Sequence, residues 1–363
     1  MIRRQARPSS ASFLSSASVT GRSPSTARSR CLRAESSVSA TRHYHPVPRL
    51  ELRPFADDHL EDAGELLAAR HRRHRAAEPL LPERYEDADA ARAEVEAIWR
   101  KEGAAGAVAL EGGRLVGYLL GAPGDDALWG PNEWVEPAGH AVEEPEVVRD
   151  LYAAVADRWL EEGRHRHYAA VPASDPELLD AWYRLCFGQQ HAYGIRELEP
   201  EPWPDGVREA EPRDVDAMVE LAPLISQHHA LPPVSAAGPL DTEEELRAEI
   251  EEDLASDEIG ELVAEVDGRV VGNFVVVPVE RSSGHRSLAR PEGACLLGFA
   301  AMLPEARGTG LGLALTRASF AWAYRAGYRT MVTDWRVTNL LASRFWPRRG
   351  FRLTFLRMYR SVP

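Results

Sequence analysis

The run Arg307-Gly-Thr-Gly-Leu-Gly312 puts three glycines, an arginine and a threonine into one short stretch. Ahead of it, the apolar segment from Ala294 to Leu303 is short enough for a single buried strand. Behind it, Leu311, Leu315, Ala318 and Trp322 recur on one face of a helix that Gly327 is suited to end. The arrangement is a strand, a glycine turn and a helix N-terminus. Glycines let the backbone come close to a ligand, and the first N–H groups of a helix have no partner within it. That combination suits an anion, most often a phosphate.

Other residues could do proton chemistry or hold a ligand. Asp334 ends an apolar segment, Asn339 lies five residues on, and Trp346 follows. Glu280 closes a hairpin, and His228-His229 lie in a loop region after a helix. Each has a bland alternative: Asp334 as a turn acid, Asn339 as a helix N-cap, Glu280 and the histidines as solvated loop residues. Trp129, Trp134 and Trp159 read as packing residues. Cys31, Cys186 and Cys295 are far apart and form neither a metal spacing nor a disulfide framework. No metal is expected.

Composition narrows the partners. The net charge of −13 argues against nucleic acid, which needs a basic face. No apolar run reaches the roughly 20 residues that span a bilayer, so no membrane partner is expected. A cytoplasmic location follows from the scattered cysteines. Lys101 is the only lysine among many arginines, a bias that suggests a bacterial source.

These residues need elements to position them. Residues 1–47 form a Ser/Arg-rich tail with Glu35 as its only acid and are expected to be disordered. The tail has the composition of an organelle transit peptide, and an over-extended start codon explains it equally well. A first unit, 48–198, reads as strand, helices at Asp58–His74 and Tyr85–Lys101, a hairpin through Gly112-Gly113, a helix at Glu143–Glu162, a strand, a short helix and a strand. A Pro-rich linker covers 199–206. A second unit, 207–363, repeats the order, with helices at Asp214–Leu224 and Thr242–Leu254. The acids from Asp241 to Glu261 read as an exposed face.

The repeat is also one of residues. Gly113-Arg114 and Gly117 recur as Gly268-Arg269 and Gly272, an offset of 155. Arg53 and Arg208 keep that offset. Later it becomes 164, pairing Gly163 with Gly327, Trp182 with Trp346 and Phe187 with Phe351.

The element order, the loop at 307–312 and the run Asn339-Leu-Leu-Ala342 to Gly350-Phe351 together resemble the GNAT acetyltransferase superfamily. The loop fits its R/Q-x-x-G-x-G/A pyrophosphate pattern, and the later run its N-x-x-A-x-x-L-Y-x-x-x-G-F segment. The chain looks like a tandem member. The expected fold is α/β (α+β), two GNAT-like domains, each a mixed, mostly antiparallel twisted sheet flanked by helices. Rival patterns fit less well: a dinucleotide G-x-G-x-x-G would need glycine where Leu313 stands, and a P-loop lacks its lysine.

The resemblance implies an N-acetyltransferase that uses acetyl-CoA as co-substrate and no metal. Arg307, Gly308, Thr309, Gly310, Leu311 and Gly312 would hold the pyrophosphate, and the backbone of Ala301 and Met302 the pantetheine arm. Asn339 and Trp346 would contact the cofactor, and Asp334 and Glu280 are the catalytic candidates. Trp346 stands where many members carry a tyrosine proton donor. An indole N–H is not a usable acid, which leaves another side chain, water or no chemistry. The acceptor would be a small-molecule or peptide amine, and the chain a monomer or homodimer. A non-catalytic acyl-CoA-binding module is the alternative. In the first unit, Glu143-Glu-Pro-Glu146 occupies the place of the glycine loop, so that unit is expected to bind no cofactor.

Overall fold

The structure, a computed structural model, describes residues 50–126, 130–236, 238 and 241–363. The tail at 1–47 and Trp129 lie outside the described residues. The first half comprises β1 (Glu51–Pro54), α1 (Leu60–Ala77), α2 (Ala88–Trp99), β2 (Ala105–Glu111), β3 (Arg114–Asp126) and β4 (Gly130–Val135). It continues through β5 (His140–Val142), α3 (Val147–Glu161), β6 (Arg166–Pro172), α4 (Pro176–Arg184) and β7 (Gly188–Glu197). The second half comprises β8 (Val207–Glu209), α5 (Val215–Leu221), α6 (Leu224–Ala230), α7 (Glu243–Leu254), β9 (Gly260–Val266) and β10 (Arg269–Pro278). It ends with β11 (Cys295–Met302), α8 (Leu311–Arg325), β12 (Thr330–Arg336), α9 (Leu340–Phe345) and β13 (Arg352–Ser361). Strand β2 precedes β9 by 155 residues, and α3, β6 and β7 precede α8, β12 and β13 by 164.

Local chemistry explains most boundaries. The β9–β10 turn puts Asp267 at φ +50° and Gly268 at +79°, the left-handed pair a tight hairpin needs. Asp175 accepts from the Leu178 amide at 2.9 Å, and Pro176 opens α4 where its missing N–H costs nothing. Thr242 and Glu245 cap α7 reciprocally. The helix expected at 85–101 spans Ala88–Trp99, because Asp87 caps it through the Ala90 amide at 3.0 Å, and two others also differ. The one expected at 143–162 starts at Val147, because Glu143 still extends the sheet through a 2.9 Å bond to the Val116 carbonyl. The one expected at 214–224 ends at Leu221, since Pro223 has no N–H to continue the ladder, and α6 starts anew after it. Strands β4 and β5 were not anticipated from the sequence.

Each half has a mixed, mostly antiparallel sheet flanked by helices, and the two sheets are joined. The strand order is β1-β2-β3-β4-β6-β13-β7-β12-β11-β10-β9-β8, with β5 beside β3. Among the described strand pairs, only β4–β6 and β11–β12 are parallel. The last strands have changed places. β13 of the second half lies against β6 of the first, and β7 of the first lies against β12 of the second. β7 and β13 pair antiparallel at the centre. A continuous core follows, in which Trp159 and Trp182 of the first half belong to the same apolar cluster as Leu315, Trp335 and Phe351 of the second. Burying such an aromatic stabilises by about 1.5–3 kcal/mol.

Candidate functional site

Strands β11 and β12 begin as neighbours and then part. They pair only at Cys295–Met331 and Leu296–Val332. The Thr333 hydroxyl donates to the Leu297 carbonyl at 2.9 Å, at the point of divergence. Beyond it, β11 stays with β10 as far as Met302–Gly272, and β12 stays with β7 as far as Arg336–His191. Among the described residues, the edge of β11 that faces β12 therefore has no strand partner beyond Leu296. A cleft of about 560 Å³ fills the gap. Its walls are largely apolar, with Phe274, Phe299, Trp335 and Phe345 among them, and α6 covers one side with Ile225, His228 and His229. Of the expected cofactor residues, Ala301, Met302, Arg307, Gly308, Gly310, Gly312, Asn339 and Trp346 all line it.

The glycine loop closes one end. A turn at Pro304–Ala306 leads to Gly308 at φ +79° and to Gly310, the residue before α8, at φ +95°. A Cβ at either position would meet nothing within 4 Å, so glycine serves the backbone conformation there and leaves open space beside it. Gly312 differs, because its Cβ would stand 3.0 Å from the Met302 sulfur. Thr309 spends its hydroxyl on the Ala306 carbonyl at 2.7 Å and bolts the turn. Leu311 packs against the core. Neither Thr309 nor Leu311 lines the cleft. The backbone N–H groups of Gly308, Thr309, Gly310, Leu311 and Gly312 find no protein acceptor among the described residues. Five free amides at a helix N-terminus make an anion cradle.

Asn339 is the N-cap of α9. Its Oδ1 accepts from the Leu341 and Ala342 amides at 3.1 and 3.2 Å. Those two donors fix which end of the amide is oxygen. The His228 Nε2 at 3.2 Å from the same oxygen must then donate, and the His229 Nε2 at 3.3 Å from Nδ2 must accept. Burial, with Arg336 and His228 adding to it, pushes His229 down to about 4. Trp346 is buried, edge-on to Phe345 and Phe351 at centroid distances of 4.9 and 5.8 Å. Its position is that of a wall.

Asp334 opens into the cleft with a third of its side chain exposed. His191 Nε2 lies 2.8 Å from its Oδ1, and His285 Nδ1 lies 3.9 Å from its Oδ2. Burial opposes its ionisation. The His191 hydrogen bond, with Arg357 and His285 nearby, outweighs burial and holds the carboxyl below its ordinary value. Glu280 is exposed on a turn after β10 and does not line the cleft. The structure brings Asp334 to the site and leaves Glu280 outside it. Arg336, His191 and Arg357 were missed from the sequence. A signal existed for His191: its counterpart 164 residues on is Phe355, so a polar group stands where the repeat has an aromatic.

The comparisons agree with this architecture. The sequence profile of the Acetyltransferase (GNAT) family matches residues 226–351. Among curated proteins, none matches by sequence. Among solved structures, a GCN5-related N-acetyltransferase from Sphaerobacter thermophilus superposes with a TM-score of 0.51 at 17% identity, covering 86% of this chain and 95% of its own. The glucosamine N-acetyltransferase region of a fungal multi-domain beta-N-acetylglucosaminidase gives 0.50 at 14% identity, covering 86% of this chain and 38% of that one. At such identities the likeness is one of fold. The profile match lies within the second half, so residues 226–351 are similar to the Acetyltransferase (GNAT) family, and the fold of the chain is like that of GCN5-related N-acetyltransferases.

Proposed function

We propose that the chain is an acetyl-CoA-dependent N-acetyltransferase whose second half, residues 207–363, holds the cofactor. The first half, 48–198, holds none and is joined to it by the linker at 199–206. The carrying observation is the splay of β11 from β12, which ends at five free amides around Gly310. Arg307 to Gly312 would take the pyrophosphate, the free edge of β11 at Ala301 and Met302 the pantetheine arm, and Asn339 and Trp346 the flank of the cofactor. An N–H of that edge would polarise the thioester carbonyl. The acceptor ammonium first gives a proton to water; the neutral amine then attacks the acetyl carbon, a C–N bond forms, the C–S bond breaks, and the thiolate leaves as the nitrogen gives up a second proton. Asp334 is too weakly basic to take either proton near neutral pH, so its role is to bind the acceptor, and water is the simplest destination of both. The acceptor is a small-molecule or peptide amine. We place the protein in a bacterial cytoplasm, as a monomer or homodimer without nucleic-acid or membrane partners. Among the described residues no helix is long and apolar enough to cross a membrane.

Isothermal titration with acetyl-CoA tests the reading. The full chain is expected to bind one molecule. Gly310→Glu, which puts a carboxylate and a strained left-handed residue into the cradle, is expected to bind at least a hundredfold more weakly. Two sites per chain, or unchanged binding by the variant, would overturn the assignment. Trp346 in the place of a proton donor favours a second reading, an acyl-CoA-binding module without chemistry. Thiol trapping across a panel of amines separates the two, because the module binds and releases no thiol.

A further inference from the structure

We infer that His191, on the last strand of the first half, is a positioning residue for Asp334 in the cleft of the second half, and that Asp334 receives the acceptor as a cation. The inference rests on the acetyltransferase reading of the cleft, and it narrows the acceptor to amines that are protonated in solution.

The geometry spans three adjacent strands. On β12 and β7, Arg336 lies opposite His191 and Asp334 opposite Tyr193, so His191 and Asp334 are diagonal neighbours on one face. On β13 and β7, Arg357 lies opposite His191. An arginine can only donate, so the contact between its Nη2 and His191 Nδ1 makes that nitrogen an acceptor. The ring proton then sits on Nε2, 2.8 Å from Asp334 Oδ1. The Arg357 Nε is anchored on Gln190 Oε1 at 2.8 Å. Burial lowers the affinity of His191 for a second proton, which keeps the ring neutral beside an ionised Asp334. One carboxylate oxygen is thus tied down. The other is beyond hydrogen-bond reach of His285 and belongs to a side chain that opens into the cleft. A neutral donor on one oxygen fixes the orientation of the carboxylate without cancelling its charge. The relay exists only because β7 has crossed to β12, so the half without a glycine loop supplies part of the acceptor site.

The charged and titratable groups around Asp334 are His191 and Tyr193 from β7, Arg357 from β13, His285 from the loop after β10, Arg336 on its own strand and His228 and His229 on α6. Removal of the His191 donor makes Asp334 easier to protonate. The acid limb of the kcat/KM profile for an amine acceptor should therefore move to higher pH.

The test compares His191→Ala and His191→Gln in the full chain, since the glutamine amide can donate from about the place of Nε2. His191→Ala is expected to lower kcat/KM for the amine about ten- to a hundredfold, chiefly through KM, and to raise the acid limb. Its acetyl-CoA affinity should equal that of the wild type. His191→Gln should restore the limb and most of the rate. An unmoved limb in the alanine variant, or no rescue by glutamine in a protein that melts normally, would overturn the inference. A measurement independent of turnover is the 15N spectrum of the His191 ring in the wild type. The expected form is neutral with its proton on Nε2, and a charged ring or a proton on Nδ1 would overturn the relay. Loss of the acetyltransferase reading would show separately, as no acetyl-CoA binding by the wild type.

Discussion

Both halves part a parallel strand pair, and only the second leaves the space open. In the first, β4 and β6 pair at Glu133–His167, Trp134–Tyr168 and Val135–Ala169 before the chain turns towards β5. Arg70 of α1, almost fully buried, occupies the gap, donating to the carbonyls of His140 and Pro137. His140 Nε2 reaches the Ala170 carbonyl at 3.1 Å, and Trp182 lies edge-on to His140. A cavity of about 290 Å³ lies between α1, the end of β6 and the start of α4, with Arg70, Asp175 and Glu177 in its lining. The residue 155 places after Arg70 is Ile225, shorter and uncharged, which lines the open cleft. The helix ends differ as well. α3 starts behind Glu143, which is paired with Arg114, and Glu146, which is paired with Arg149 and with Arg184 at 2.7 Å. α8 starts behind free amides. A plug and a set of carboxylates separate two otherwise parallel frameworks.

The comparison can be broken most strongly at the plug. Arg70→Ala takes the donor from one buried and one half-buried carbonyl and should cost about 2–4 kcal/mol of stability, read by urea unfolding. Acetyl-CoA stoichiometry should stay at one, because the carboxylates at 143–146 remain. A stoichiometry of two would mean that the plug alone distinguishes the halves. Glu133 offers a smaller, pH-dependent effect. Burial pushes its carboxyl up to about 8, against the pull of Arg164. The folded state therefore prefers the protonated form, so this stability is full below the ordinary value of 4.5 and is lost as pH rises through about 8. Glu133→Gln should melt a few degrees above the wild type at pH 9 and together with it at pH 4. The smallest effect is expected from Glu144→Gln with Glu146→Gln. These side chains are exposed, so stability should change by less than about 1 kcal/mol and acetyl-CoA affinity not at all. A change in affinity would give the first half a part in holding the cofactor.

Much of the frame was legible because it is written in local patterns. The offsets of 155 and 164 become element boundaries, since hairpin glycines and helix caps act on their neighbours. The glycine loop and Asn339 were legible for the same reason. Glu280 was an attractive acid by its place at a hairpin end, but a strand end does not say which way the turn leaves the sheet. The exchange of β7 and β13 was invisible. Both carry the same repeat position, so nothing local says which neighbour each will choose. His191 and Arg357 acquire a role only through that choice. The break at Pro223 was readable, yet the helix expected at 214–224 runs through it, where the structure ends α5 at Leu221. Pro223 is the N-cap of α6, which carries His228 and His229 to Asn339.

The strand exchange also bears on the order in which the molecule can be made. β13 sits in the middle of the sheet, yet it is translated after every other described strand. While a ribosome is still reading the second half, β6 of the first half has β4 on one side and nothing on the other, and β7 has nothing on either side until β12 and β13 emerge. Completion reaches the centre last, so a nascent chain stalled before residue 352 presents an unfinished seam in both halves at once.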